Sequence, residues 1–375
     1  MGQFDETGRS DETGRSDETG RSDETGQFDE TGQFDETGQF DETGQFDETG
    51  QRHLAVRRHG RPGEVDLATV VASVGLPSPV MTASGTAGHG AELGAYFDLS
   101  AIGAVVVKSL AAYRWAGNPG PRVCPVPGGM LNGVGLQGPG VQAWLEDELP
   151  ALEACGARVV VSIWGRKVED YAAAASALAG APGCVVAVEV NVSCPNLEDR
   201  SRMFAHSPAA TGEAVSAAAG CGLPRWAKLS PNTSELIAVA EAALKAGAEA
   251  LTLTNTLLGF AIDTERRAPV LGAGGGGLSG DALHSVALRA VYDCRAAFPE
   301  SAIVGVGGVS DGLGAVRMLL AGADAVQVGT ATLADPRAVA RVQAELSSWC
   351  SRHGVRAVRD LVGAANENWK KGVRR

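Results

Sequence analysis

From residue 65 onward, short and continuously apolar runs alternate with longer segments in which Ala, Leu and Glu recur at helical spacing. The apolar runs occupy 79–84, 104–110, 158–163, 185–192, 226–230, 250–255, 302–306 and 325–328 and are rich in Val, Ile and Ala. They are apolar at consecutive positions rather than at every second one, which predicts parallel strands covered on both faces. Segments 234–246 and 312–321 predict two of the intervening helices. Eight strands separated by helices predict an α/β fold, a (β/α)8 TIM barrel. The competing architecture is an open, doubly wound sheet. Against it, no GxGxxG follows the first run.

Barrels of this kind place their chemistry at the carboxyl ends of the strands. Polar residues fall there repeatedly. Ser84 and Gly85 follow the first run, Lys108 and Ser109 end the second, and Asn191 through Asn196 follow the fourth. Lys228 ends the fifth, Asn255 and Thr256 the sixth, Gly307 and Gly308 the seventh, Gly329 and Thr330 the eighth. One such case would mean little, but seven in register predict a polar mouth.

Ahead of the barrel, residues 2–49 are eight copies of a hexad, Gly-Gln-Phe-Asp-Glu-Thr or Gly-Arg-Ser-Asp-Glu-Thr. Each copy has a glycine and at most one aromatic, too little apolar surface to offset backbone entropy, so 1–50 is expected to be a disordered acidic tail. Segment 51–64, with Arg52, Arg57, Arg58 and Arg61, reads as a basic linker, and 65–375 as the barrel domain. The chain's net charge of −12 belongs to the repeat, because everything after residue 49 sums to +1. The globular part therefore gives no reason to expect nucleic acid or a membrane surface as partner. The 7 cysteines are scattered with no CxxC pair, which fits neither a disulfide scaffold nor a zinc site. No apolar run reaches the roughly 18 residues that span a bilayer, and the polar, acidic N-terminus does not read as a secretory signal. A reduced, cytoplasmic protein is expected.

Four groups of residues could carry chemistry. The glycines at 305, 307 and 308, with Gly329 and Thr330, let backbone N–H groups approach a phosphate, or they are ordinary tight turns in a glycine-rich chain. The run 274–277 reads as a flexible loop, with Gly280 placed near a ligand. Lys108 and Lys228 stand in apolar strand ends, where a lysine needs either a structural salt bridge or an anionic or electron-rich group. Asn132, Asn191, Asn196 and Asn255 are turn residues or the donor–acceptor edges that a planar, pyrimidine-like ligand requires. Cys194 sits in a polar loop braced by Pro195. A thiol's ordinary pKa of about 8.5 lets it act as a base once tuned. The other cysteines read as small buried hydrophobes. A cysteine-protease reading needs a histidine base, and the nearest in sequence, His206, has no evident orienting partner.

These segments resemble the dihydroorotate dehydrogenases. The resemblance is carried by Met81-Thr82-Ala83-Ser84-Gly85-Thr86, Val107-Lys108-Ser109, Gly129 through Gln137, Asn191-Val192-Ser193-Cys194-Pro195-Asn196, Lys228-Leu229-Ser230-Pro231-Asn232, Thr254 through Gly259, Gly277-Leu278-Ser279-Gly280 and Val306-Gly307-Gly308-Val309, in family order from about 65 to about 365. It implies bound FMN and oxidation of (S)-dihydroorotate to orotate, with Cys194 taking the C5 proton while the C6 hydride passes to the flavin. Lys108 is implied in catalysis as well. For substrate it implies Lys108, Asn132, Gly133, Val134, Gly135, Leu136, Asn191, Asn196, Asn255 and Thr256. For FMN it implies Ser84, Lys108, Ser109, Ser162, Asn191, Lys228, Thr254, Gly280, Gly307, Gly308, Gly329 and Thr330. Cysteine at the base position is similar to class 1, and Asn-Thr-Leu-Leu-Gly to its NAD-linked subclass. That implies a homodimer or heterotetramer with an electron-transfer subunit carrying FAD and a [2Fe-2S] cluster. The 197–208 segment departs from the family's glycine-rich continuation, which keeps dihydropyrimidine dehydrogenase as an alternative. A binding barrel without catalysis and a phosphate-binding isomerase barrel are further alternatives, the latter leaving Cys194 unexplained.

Overall fold

A computed structural model describes residues 65–193 and 203–373; the hexad repeat, the basic linker, Cys194 and Asn196 lie outside the described residues. All eight apolar runs form strands: β1 (Val80–Thr82), β2 (Val105–Val106), β3 (Val159–Ile163), β4 (Val185–Asn191), β5 (Arg225–Leu229), β6 (Ala250–Leu253), β7 (Ala302–Val306) and β8 (Ala325–Val328). They form one sheet of 8 strands in which sequence neighbours pair in parallel from β2 round to β8 and on to β1. The seam between β1 and β2 is closed by Gly103 N–H donating to Val80 O at 2.8 Å and Thr82 N–H to Ala104 O at 3.2 Å. The Thr82 hydroxyl adds to the closure, accepting from Val106 N–H at 2.7 Å and donating to Val106 O at 3.3 Å. Helices stand outside the ring, among them Leu236–Lys245 and Gly312–Ala321, where helical spacing predicts them. The chain is a TIM barrel.

Strand side chains alternate between two environments, as the pleat requires. Outward residues such as Val159, Val161, Val188, Val190 and Leu251 join the core between sheet and helices. Inward residues Met81, Val106, Val160, Ala187, Trp226, Ala250, Val304 and Ala325 fill the amino-terminal half of the barrel. A hairpin that the apolar runs do not announce, Thr69–Val71 with Val74–Leu76, adds Val71, Val74 and Leu76 to that inner cluster. Toward the carboxyl ends the inward positions turn polar: Ser162, Glu189, Lys228, Thr252 and Gln327, all buried.

A second, antiparallel sheet of 4 strands is built from insertions after β2 and β6, in the order Leu257–Gly259, Gly276–Ser279, Gly129–Asn132, Val123–Val126. This corrects the reading of 274–277 as a flexible loop for its second half, because Gly277 pairs with both neighbouring strands and Gly276 with Gly259. A side chain at Gly277 would collide with Thr256, and one at Gly276 with the Asn132 carbonyl and Leu271. The glycines are there so that strands can approach.

Thr82→Val keeps the shape at the seam and removes both hydroxyl bonds, leaving the buried Val106 N–H without an acceptor. It should lower stability by about 1–3 kcal/mol, read as a fall in the thermal unfolding midpoint.

Candidate active site

Polar side chains from neighbouring strand ends satisfy one another in a chain around the carboxyl rim. Ser84 Oγ lies 3.2 Å from Ser109 Oγ, and Ser109 Oγ 2.8 Å from Ser162 Oγ. Asn191 Nδ2 donates to Ser109 Oγ at 3.1 Å, and Asn191 Oδ1 accepts from Asn255 Nδ2 at 3.2 Å and from Ser193 N–H at 3.1 Å. The Asn191 carbonyl in turn accepts from the buried Tyr171 hydroxyl at 2.8 Å. Five strands thus contribute to one hydrogen-bonded arc, which holds its amide and hydroxyl edges in fixed directions.

The arc borders a cavity of about 490 Å³. Of the residues named from the sequence, it is lined by Ser84, Lys108, Ser109, Asn132, Val134, Gly135, Leu136, Asn191, Lys228, Thr254, Asn255, Thr256, Gly280, Gly307, Gly308, Gly329 and Thr330. Gly133 does not line it. Ser162 is fully buried behind it, where it holds the Ser109 hydroxyl. Cys194 lies outside the described residues but directly follows Ser193, which lines the cavity with a buried hydroxyl that has no partner among the described residues.

The two lysines are handled in opposite ways. Lys228 closes a buried ring: Nζ donates to Gln327 Oε1 at 3.2 Å and pairs with Glu189 Oε1 at 3.5 Å, while Gln327 Nε2 donates to Glu189 Oε2 at 2.8 Å. Lys108 has no ion pair or side-chain hydrogen bond among the described residues. Burial, and secondarily the nearby positive charge of Arg122, hold its amine below the ordinary lysine value. His89 is likewise pushed down by burial and by Lys108, with Glu92 opposing. Lys228 is a neutralised cation beneath the cavity; Lys108 is a cation awaiting an anion.

On the cavity wall, the 133–136 loop presents N–H groups. The carbonyls of Gly133, Val134 and Gly135 are drawn back by Asn118 Nδ2 at 3.0 Å, Asn118 N–H at 3.0 Å and Trp115 Nε1 at 3.0 Å. Gly135 and Leu136 both take positive φ, +73° and +61°. The N–H groups of Val134, Gly135 and Leu136 meet no acceptor among the described residues. Successive unpaired N–H groups in such a turn form an anion-binding concavity.

The residues present fit a flavin mononucleotide. The cavity has the size of a small-ligand site. The Thr254 hydroxyl on its wall is buried with no partner among the described residues. At the rim, Gly307 and Gly308 have φ of +137° and +63°, and a side chain at 308 would press on the Gly280 carbonyl and His284. The Thr330 hydroxyl donates to Ser279 Oγ at 2.7 Å beside them. This is a glycine turn between the last two strands, where barrels commonly bind phosphate.

Glu189 and Gln327 were not singled out from the sequence, although the signal was present. Each is a polar residue inside an apolar run, as Lys108 and Lys228 are. Trp115, Asn118 and Arg122 carried no such signal, since the residues of the 133–137 segment that they hold lie 11 to 20 positions away across a loop.

The dihydroorotate dehydrogenase family model matches residues 66–349. The chain belongs to that family. It is 44% identical over 300 residues to the "Dihydroorotate dehydrogenase B (NAD(+)), catalytic subunit" of Geobacter sp. (strain M21), covering 80% of this chain and 98% of the relative. The protein of that name from Desulforudis audaxviator (strain MP104C) is 45% identical over 304 residues, 81% of this chain and 98% of its own. That from Geobacter sulfurreducens is 42% identical over 300 residues, with 80% and 98% covered. No described helix is long and apolar enough to cross a membrane.

The sign of the Lys108 shift has a consequence for stability. A lysine whose folded pKa is depressed costs folding free energy while charged, and the cost is relieved as pH rises through that lowered value. Lys108→Met should therefore stabilise the substrate-free protein at neutral pH by about 0.5–2 kcal/mol and weaken anion binding. The gain should shrink under alkaline conditions. Thermal unfolding at neutral and alkaline pH checks this; a destabilised variant would mean that the Lys108 charge is already compensated.

Proposed function

We propose that this chain is the catalytic subunit of an NAD-linked, class 1B dihydroorotate dehydrogenase, oxidising (S)-dihydroorotate to orotate in pyrimidine biosynthesis with FMN in the cavity. The observation that carries the reading is the set of unpaired N–H groups at Val134, Gly135 and Leu136 on the same cavity wall system as the unpaired Lys108. A ring carrying a carboxylate meets both. A neutral dihydropyrimidine would leave the anion receptor empty, which favours dihydroorotate over uracil or thymine as the ligand.

Bound FMN supplies the acceptor for the hydride leaving C6 of the substrate. The remaining work falls to the chain's own residues. Ser84, Lys108, Ser109, Asn191, Lys228 and Thr254 would hold the flavin, Ser162 acting through Ser109. Gly280, Gly307, Gly308, Gly329 and Thr330 would take its phosphate end. Lys228 offsets the negative charge that a reduced flavin carries, and its pairing with Glu189 keeps it in place. Asn132, Asn191, Asn255 and Thr256 would orient the pyrimidine amide edges, helped by Asn196, with the 133–136 loop and Lys108 on the carboxylate. Cys194 would remove the proton from C5 as a thiolate base.

Electrons would leave through a separate electron-transfer subunit bearing FAD and a [2Fe-2S] cluster, within a homodimer or heterotetramer in the cytoplasm. The catalytic domain would comprise 65–375, with 1–50 and 51–64 as tail and linker outside it.

Anaerobic mixing of the yellow holoprotein with dihydroorotate should bleach the visible flavin band. Cys194→Ala should keep its FMN and slow the bleaching by roughly 10²- to 10⁴-fold near neutral pH. Bleaching of that variant at the wild-type rate would remove Cys194 as the base. A colourless protein that takes up no added FMN would overturn the whole reading.

A further inference from the structure

We propose that Arg122 and Asn118 form a positioning clamp that makes the 133–136 loop selective for an anion, an assignment that rests on the dihydroorotate reading above. The Arg122 guanidinium spends its whole fork on protein. Nε donates to Asn118 O at 2.7 Å, Nη2 to Ala116 O at 3.0 Å, and Nη1 to the Gln137 side-chain oxygen. Its own backbone carbonyl accepts from Gly133 N–H at 2.7 Å. Asn118, fixed by that guanidinium, then takes the carbonyls of Gly133 and Val134. Arg122 is absent from the cavity wall, so its hydrogen bonds reach the ligand only through the loop.

The two segments meet backbone to backbone. A side chain at Gly117 would press on the Val134 carbonyl and Gln137, and one at Gly135 would run into Asn118. Trp115 anchors the outer segment: it packs with Trp164 at 6.0 Å between ring centroids, stacks under Arg166 at 5.1 Å, and shares its small apolar cluster with Leu136. The loop therefore cannot shift without the clamp.

The physical point is the direction of three peptides. With their carbonyls tied outward, the dipoles facing the cavity are N–H groups. If the clamp is lost, a peptide flip at 133–135 can turn a carbonyl oxygen toward the cavity, where it repels a carboxylate but accepts a hydrogen bond from a neutral ring. Affinity for the anion then falls, while affinity for an uncharged pyrimidine does not.

The test is titration of the FMN-loaded full chain with orotate and with uracil, each followed by the change it causes in the flavin spectrum. Arg122→Ala and Asn118→Ala should weaken orotate by roughly tenfold to a hundredfold, with the half-saturating dihydroorotate concentration rising in step and the limiting rate of flavin reduction changing less. Uracil affinity should stay within about twofold of wild type, with FMN occupancy unchanged. Arg122→Lys, which keeps the charge without the fork, should behave like Arg122→Ala; full recovery by lysine would show that charge matters and overturn the clamp. Orotate affinity unchanged in both alanine variants, or orotate and uracil weakened in equal proportion, would also overturn it. Should Arg122→Ala fail to fold, Asn118→Ala and Arg122→Lys carry the comparison. Wild-type protein that gives no response to orotate removes the dihydroorotate reading itself, and the clamp with it.

Discussion

Parallel strands leave all their carboxyl ends on one rim, and closing eight of them into a ring forces the polar groups on that rim to satisfy one another. Inside a closed barrel, a buried hydroxyl or amide without a partner costs free energy comparable to a lost hydrogen bond. The arc from Ser84 through Ser109 to Ser162, Asn191 and Asn255 answers that requirement. Because each member comes from a different strand, its geometry is set by strand register and not by local conformation. The cavity inherits that rigidity, and its polar edges point in fixed directions before any ligand arrives.

Charge is placed by the same logic. A buried ion pair is seldom retained for stability, since apolar residues of similar volume would do as well or better. The ring of Lys228, Glu189 and Gln327 sits where the inward-facing side chains change from apolar to polar, and it joins β4, β5 and β8 beneath the cavity. Its use is to hold a cation at a set depth. Lys108, on β2's far end, lacks that compensation among the described residues and bears the cost of burial in its lowered pKa. One lysine is stabilised within the fold; the other is left for a ligand.

The antiparallel sheet is the part of the molecule that departs most from the repeated strand–helix unit. It is assembled from two insertions more than a hundred residues apart, and glycines are what let them meet. Asn132 on that sheet donates to the Gly277 carbonyl at 3.2 Å, so a residue on the cavity wall is oriented by a strand from the other insertion.

By itself, the sequence determined the barrel and most of the residues on its rim. Continuous apolar runs state where parallel strands lie, and a lysine or asparagine at the end of such a run is conspicuous because burial of an unpartnered polar group is costly. Hence Lys108, Lys228, Asn191 and Asn255 were legible one at a time. Glu189 and Gln327 obeyed the same rule and could have been found by it. Other features had no local signal. Strand status for 276–279 depends on two partners elsewhere in the chain, so a glycine run that looks like a loop becomes a central strand. The N–H face of the 133–136 loop depends on Trp115 and Asn118 taking its carbonyls, and the contrast between the two lysines depends on what lies opposite each. Hydrophobic pattern is written into consecutive residues; hydrogen-bond direction and charge pairing are relations between distant ones, and only the closed fold decides them.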